Sequence, residues 1–110
     1  MMQPPKRFQE FKKKYAAVAD AYDTLGAAVH NAGPLDEKTR ALVKLGISAG
    51  ARLEGAFHSH VRKALSAGVT VKEMQHAVLL ALPTIGLPSM MAAMTWIDDV
   101  MKQNAPRRKK

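Results

Sequence analysis

Apolar residues recur at intervals of three and four positions along this chain, and no segment shows the strict alternation of a half-buried β-strand. Because an α-helix has 3.6 residues per turn, this spacing places apolar side chains on one face of a helix. The pattern therefore predicts an all-α fold. A chain of 110 residues has the length of one domain. We expect a single helical domain over residues 1–106 and a basic flexible tail at residues 107–110.

The first predicted helix runs from about Pro5 to Asn31, and Gly33-Pro34 follows its end. Its apolar residues form one stripe with a seam like that of a coiled coil. Either a partner chain or the core of the domain itself would cover this stripe. The stripe consists of Phe8, Phe11, Tyr15, Val18, Tyr22, Leu25 and Val29.

Capping and breaking residues mark the boundaries of the later helices. Gly46 and Gly50 leave a bare strip on the second helix, which favours close approach by another helix. The boundary signals are Asp36 as the cap of the second helix, Gly68 at the end of the third, Thr70 with Glu73 as a capping box for the fourth, Pro83 as its kink or end, and Ser89 as the cap of the last.

The net charge of +8 at first suggests a nucleic-acid partner, but the excess positive charge lies at the two ends of the chain. Basic and acidic residues are equal in number between Tyr15 and Pro106, so we expect no specific nucleic-acid partner. The uncharged stretch from Ala77 to Ile97 is interrupted by Pro83, Gly86 and Pro88. We therefore expect two buried helices in this stretch and no membrane span.

The sequence contains no cysteine, which excludes disulfide bonds, thiolate nucleophiles and cysteine metal sites. The first residues lack the apolar segment of a signal peptide. Both observations are typical of a cytoplasmic protein, and we expect that location.

The helix predicted from Glu54 to Gly68 carries the candidate chemistry. Glu54 falls on its apolar stripe, where a carboxylate requires a partner because its burial costs several kcal/mol. His58, one turn further along at i+4, is the nearest candidate. The stripe itself consists of Leu53, Phe57, Val61, Ala64 and Leu65.

His58 and His60 lie about 200° apart around this helix and cannot bind one metal ion from this element alone. A metal would need a ligand from elsewhere, such as His76 or His30, and we expect neither a metal nor another cofactor. A carboxylate that orients an imidazole is a general-base arrangement. The alternative is that Glu54 and His58 form a structural pair. Positive side chains that could bind an anionic substrate, or simply be solvated, are Lys44, Arg52, Arg62 and Lys63.

Three segments together resemble the carboxymuconolactone decarboxylase-like family, whose fold is shared with the alkylhydroperoxidase D-like proteins. They are Thr39–Gly50, His60–Met74 and Ala81–Pro88, and the similarity extends over roughly residues 34–100. The resemblance implies a compact subunit of about five to six helices. It also implies intertwined assembly into homo-oligomers, usually trimers or hexamers.

The redox members of this family use a Cys-x-x-Cys pair followed by a histidine. His60 matches that histidine, but Leu53 and Ala56 occupy the cysteine positions, and Ala41 occupies that of a relay glutamate. Peroxidase activity of the peroxiredoxin type is therefore disfavoured, because it needs the thiolates. The decarboxylase members lack the pair and keep the histidine in a context that matches His60-Val61-Arg62.

The resemblance thus implies a cofactor-free acid–base lyase or decarboxylase that acts on a small anionic organic substrate. His60, or the pair Glu54 and His58, would transfer the proton, and Arg62 would bind the substrate carboxylate. The alternative function is a non-enzymatic oligomeric binding or scaffold module that has kept the fold without the redox residues.

Overall fold

The computed structural model describes residues 4–103, and within this range it contains helices and no strand, which confirms the all-α prediction. The chain divides into two compact units, one up to Leu35 and one from Asp36 onward. The basic tail predicted at residues 107–110 lies outside the described residues, and the single domain over residues 1–106 stays a prediction. The helices are α1 (Lys6–Lys14), α2 (Ala16–His30), α3 (Glu37–Gly50), α4 (Glu54–Ser66), α5 (Val71–Leu79), α6 (Leu82–Ile85) and α7 (Leu87–Gln103).

The first unit contains two helices where the sequence predicted one, because the chain leaves helical geometry at Tyr15 (φ −125°, ψ 56°). This break puts the three lysines 12–14 in the last turn of α1. Positive charge is favourable there because the C-terminal carbonyl groups of a helix carry partial negative charge. The side chains of the predicted apolar stripe are all exposed, on both sides of the break.

The core of the second unit lies where α3, α4, α5 and α7 meet. Each large side chain buried here contributes roughly 1.5–3 kcal/mol through the hydrophobic effect. The side chains with no exposed surface are Leu45, Phe57, Val61, Ala64, Met74, Ala93, Ile97 and Val100.

Most of the predicted helix boundaries are confirmed. The carboxylate of Asp36 accepts a 2.8 Å hydrogen bond from the backbone N–H of Thr39 at the start of α3. Thr70 and Glu73 form the predicted capping box at the start of α5. Gly68 follows α4 with a φ of +88°, a conformation that glycine adopts without strain.

The last boundary differs from its prediction. Pro83 lies inside the short helix α6 and does not kink α5. Helix α7 begins at Leu87, before Ser89, so Ser89 is a buried residue of its first turn and not its cap. The carbonyl of Gly86 instead accepts the hydrogen bond from the N–H of Met90. Gly86 has a φ of +98°, which lets the chain turn directly from α6 into α7.

Among residues 4–103, nothing approaches the glycine strip of α3 closely. A Cβ atom added at Gly46 or Gly50 would meet nothing within 4 Å. Val43 and Ile47, on the same helix, are exposed. In the described part of the chain, these four positions therefore form an exposed apolar surface on α3.

Within residues 4–103 no helix combines the length and the hydrophobicity needed to cross a membrane. The uncharged stretch from Ala77 to Ile97 is divided among three helices, α5, α6 and α7, where the sequence predicted two. The predicted burial is wrong in part, because the large apolar side chains of Leu79, Leu80, Leu82, Ile85, Leu87 and Met91 are exposed.

Candidate functional site

Helix α4 packs against both α3 and α7, and its apolar stripe is buried only in part. Phe57, Val61 and Ala64 have no exposed surface. Leu53 is 56% exposed, because it precedes the first turn of α4 and lies beyond the edge of the core.

The prediction that Glu54 lies on a buried stripe is wrong. Its side chain is 59% exposed, since the first turn of α4 extends past the core at the same place as Leu53. Glu54 still lies beside the predicted partner: its Oε2 atom is 3.9 Å from Nε2 of His58. The pair is thus a surface pair, whose electrostatic contribution is weakened by water.

His58 contacts a second carboxylate, which the sequence did not predict. Its Nε2 atom is 3.3 Å from Oδ2 of Asp99 on α7, and the His58 side chain is only 21% exposed. The ligand atoms of Glu54, His58 and Asp99 all lie within 4.8 Å of one another. Two carboxylates from different helices therefore converge on one imidazole nitrogen.

The side chain of Asp99 is 39% exposed and lies against His58. No local signal identifies this partner, because Asp99 is 41 residues from His58. Ile97 and Val100 are buried on the same helix. Their packing sets the rotation of α7, and that rotation turns Asp99 toward α4.

His60 has a different environment from His58, as their angular separation predicted. Its ring is half-buried. Burial, and after it the positive charges of Lys63 and Lys44, lower the pKa of His60 from 6.5 to about 4. The imidazole is therefore neutral at physiological pH and can accept a proton.

Lys44 on α3 and Lys63 on α4 lie near enough to His60 for their positive charges to lower its pKa. The pKa of Lys44 is lowered, first by burial and then by the charges of Lys63 and Arg40. A bound anion would offset this repulsion among cations. Arg52, another positive side chain that could bind an anionic substrate, lies exposed in the turn before α4 with a φ of 58°.

Arg62 lies on the His58 side of α4 and not beside His60. It follows His58 by four residues, whereas it is about 200° around the helix from His60. The other two histidines do not join the ligand group around His58 in the described part of the chain: His76 is exposed on α5, and His30 is half-buried on α2.

Residues 16–99 match the sequence profile of the Carboxymuconolactone decarboxylase family. A protein of Haemophilus influenzae (strain ATCC 51907 / DSM 11121 / KW20 / Rd), described as an uncharacterized protein, is 37% identical over 59 residues. This alignment covers 54% of the present chain and 52% of the relative, so the chain spans about half of that relative's length. No solved structure matches the chain at a significant level.

Proposed function

Because this chain belongs to the carboxymuconolactone decarboxylase family, we propose that it is a cofactor-free acid–base lyase that removes a carboxyl group from a small anionic organic substrate. The observation that carries the proposal is the half-buried, neutral imidazole of His60 beside the ammonium groups of Lys63 and Lys44. This combination provides a proton acceptor and an anion-binding surface in one place.

Lys63 and Lys44 would bind the substrate carboxylate and stabilise the negative charge that develops as the carbon–carbon bond breaks. In a substrate with a carbonyl group β to the carboxylate, loss of CO2 leaves the bonding electron pair as an enolate. The neutral imidazole of His60 then donates its N–H proton to the carbon that lost the carboxyl group, and its other nitrogen takes up a proton from solvent. The chain has no cysteine for a thiol mechanism, and acid–base decarboxylation is the chemistry that the name of its family indicates.

We expect Lys63→Gln and Lys44→Gln each to raise KM by roughly tenfold, because each removes one charge that binds the substrate. The matched control is Lys72→Gln, which removes an exposed charge on α5. The measurement is CO2 release from a panel of lactone carboxylates and keto carboxylates, followed as initial rates against substrate concentration.

Two outcomes would contradict this assignment. Absence of turnover for the whole panel by folded wild-type protein would contradict the lyase. A rise in KM for Arg62→Gln, with none for Lys63→Gln, would move carboxylate binding to the His58 side of α4, where Glu54 and His58 are the proton-transfer pair.

The second candidate function is an oligomeric scaffold, favoured by the uncovered apolar face of α2. Val18, Tyr22, Leu25 and Val29 share an arc of about 60° and are all exposed. Contiguous exposed apolar surface of this kind marks protein interfaces. Assembly into a homo-oligomer, a trimer or a hexamer, serves either function. The absence of cysteine also fits a cytoplasmic location.

We expect wild-type protein to have the mass of a trimer or hexamer in light scattering coupled to size exclusion. The double variant Tyr22→Glu with Leu25→Glu should have a smaller mass, because two buried carboxylates oppose association. Thr24→Glu is the control, since Thr24 is exposed on the opposite side of α2. A wild-type monomer at micromolar concentration would contradict the assembly.

A further inference from the structure

The group formed by Glu54, His58 and Asp99 has no role in the reaction proposed at His60. Its three side chains come from α4 and α7, whereas the cations around His60 come from α3 and α4. Nε2 of His58 is the shared atom, 3.3 Å from Asp99 and 3.9 Å from Glu54.

A proton on Nε2 of His58 can form a hydrogen bond with only one of the two carboxylates. Nε2 carries at most one proton, and a hydrogen bond from it reaches Asp99 but not Glu54 at 3.9 Å. One carboxylate is therefore left facing the other across the imidazole. A cation placed among the three atoms would attract both carboxylates and accept the nitrogen lone pair at once.

The spacing of the ligand atoms suits a small transition-metal cation. Atoms that share one Zn²⁺ at about 2.0–2.2 Å lie roughly 3.4 Å apart in a tetrahedral site. The His58–Asp99 separation of 3.3 Å already matches this value. Glu54 must move inward, by about half an ångström toward His58 and also toward Asp99, from whose ligand atom its own lies within 4.8 Å. The Glu54 side chain is 59% exposed, so this movement displaces no buried side chain.

The donor atoms decide the class of ion. One imidazole nitrogen with two carboxylate oxygens suits Zn²⁺ and its first-row neighbours, whereas Ca²⁺ and Mg²⁺ prefer oxygen ligands alone. We propose that Glu54, His58 and Asp99 bind a divalent transition-metal cation, with Zn²⁺ the best fit. The site is independent of the reaction proposed at His60.

Bound metal would connect the start of α4 to the C-terminal half of α7. The exposed sides of Glu54 and Asp99 leave a coordination position open to solvent, where water or a small anion can bind. A metal on α4 requires a ligand from outside this helix, and the sequence indicated His76 and His30 as candidates. In the proposed site Asp99 is that ligand.

The test is a titration of the full chain, without a polyhistidine tag, with ZnCl₂ in a calorimeter. We expect one-to-one binding that His58→Ala and Asp99→Asn each weaken by roughly tenfold or more. Glu54→Gln should also weaken binding. Because Glu54 is exposed, this effect cannot come from unfolding.

Two neighbours provide matched controls. Asp98→Asn removes the exposed carboxylate next to Asp99, and His76→Ala removes an exposed imidazole on α5. Both should leave the Zn²⁺ affinity unchanged. Absence of binding by the wild type, or an affinity that neither His58→Ala nor Asp99→Asn alters, would overturn the proposal. The titration requires no substrate, so its result tests the metal site independently of the proposed lyase activity.

Discussion

Replacing His60 by alanine is expected to lower kcat/KM for decarboxylation by at least about 100-fold, the usual contribution of a positioned acid or base. The ring is half-buried and neutral beside Lys63 and Lys44. Alanine removes the group that relays the proton but leaves both ammonium groups in place. We therefore expect the loss mainly in kcat, with KM nearly unchanged.

The pH profile of the wild type distinguishes proton transfer from a structural role of His60. Because the pKa of His60 is lowered to about 4, the basic form is present above that pH and is lost as pH falls through it. The kcat/KM should therefore remain high at pH 6 and decrease near pH 4. An unshifted imidazole would lose activity near its ordinary pKa of about 6.5.

His76→Ala is the control for the His60 variant, because it removes an exposed imidazole on α5 and should keep full activity. Full activity of His60→Ala would contradict the assignment. Loss of activity in His58→Ala, combined with full activity in His60→Ala, would move the chemistry to the α7 side of α4.

Replacing Phe57 by alanine is expected to lower the free energy of unfolding by about 3–5 kcal/mol. Phe57 has no exposed surface, and its ring centroid lies 5.6 Å from that of Trp96 on α7 at an interplanar angle of 58°. The substitution removes apolar burial and an aromatic contact, and it leaves a cavity between α4 and α7. Urea denaturation followed by circular dichroism measures the change.

Leu53→Ala is the matched control, because Leu53 is an apolar residue of the same predicted stripe that the structure leaves exposed. Its substitution should change the free energy of unfolding by no more than about 0.5 kcal/mol. Equal losses for the two variants would show that Leu53 is buried in solution, for example by a second copy of the chain. They would contradict the exposure found for Leu53.

Much of the local structure could be predicted from the sequence because its causes are local. The hydrogen bonds of the Asp36 cap and of the capping box at Thr70 join residues three apart. The turn at Gly68 depends on the missing Cβ of that residue. The break at Tyr15 was missed, because neither glycine nor proline marks it.

The candidate site was predicted less well. The angular separation of His58 and His60 follows from helix geometry and is confirmed by their different neighbours. The burial of Glu54 depends on where the core ends, and a helical wheel carries no information about that edge. Arg62 matches the family pattern in sequence, but helix geometry places it away from His60.

The sequence by itself determined the helical class, most of the helix ends, the family and the absence of thiol chemistry. These follow from periodicity, from contacts between residues three or four apart, and from residue types. Only the tertiary structure decided that Asp99 lies against His58 and that Lys44 acts on His60. Both depend on how α3 and α7 rotate and slide against α4. The relative position of these helices is set by the packing of buried side chains from separate helices, such as Phe57 and Ile97. No short-range sequence pattern encodes that packing.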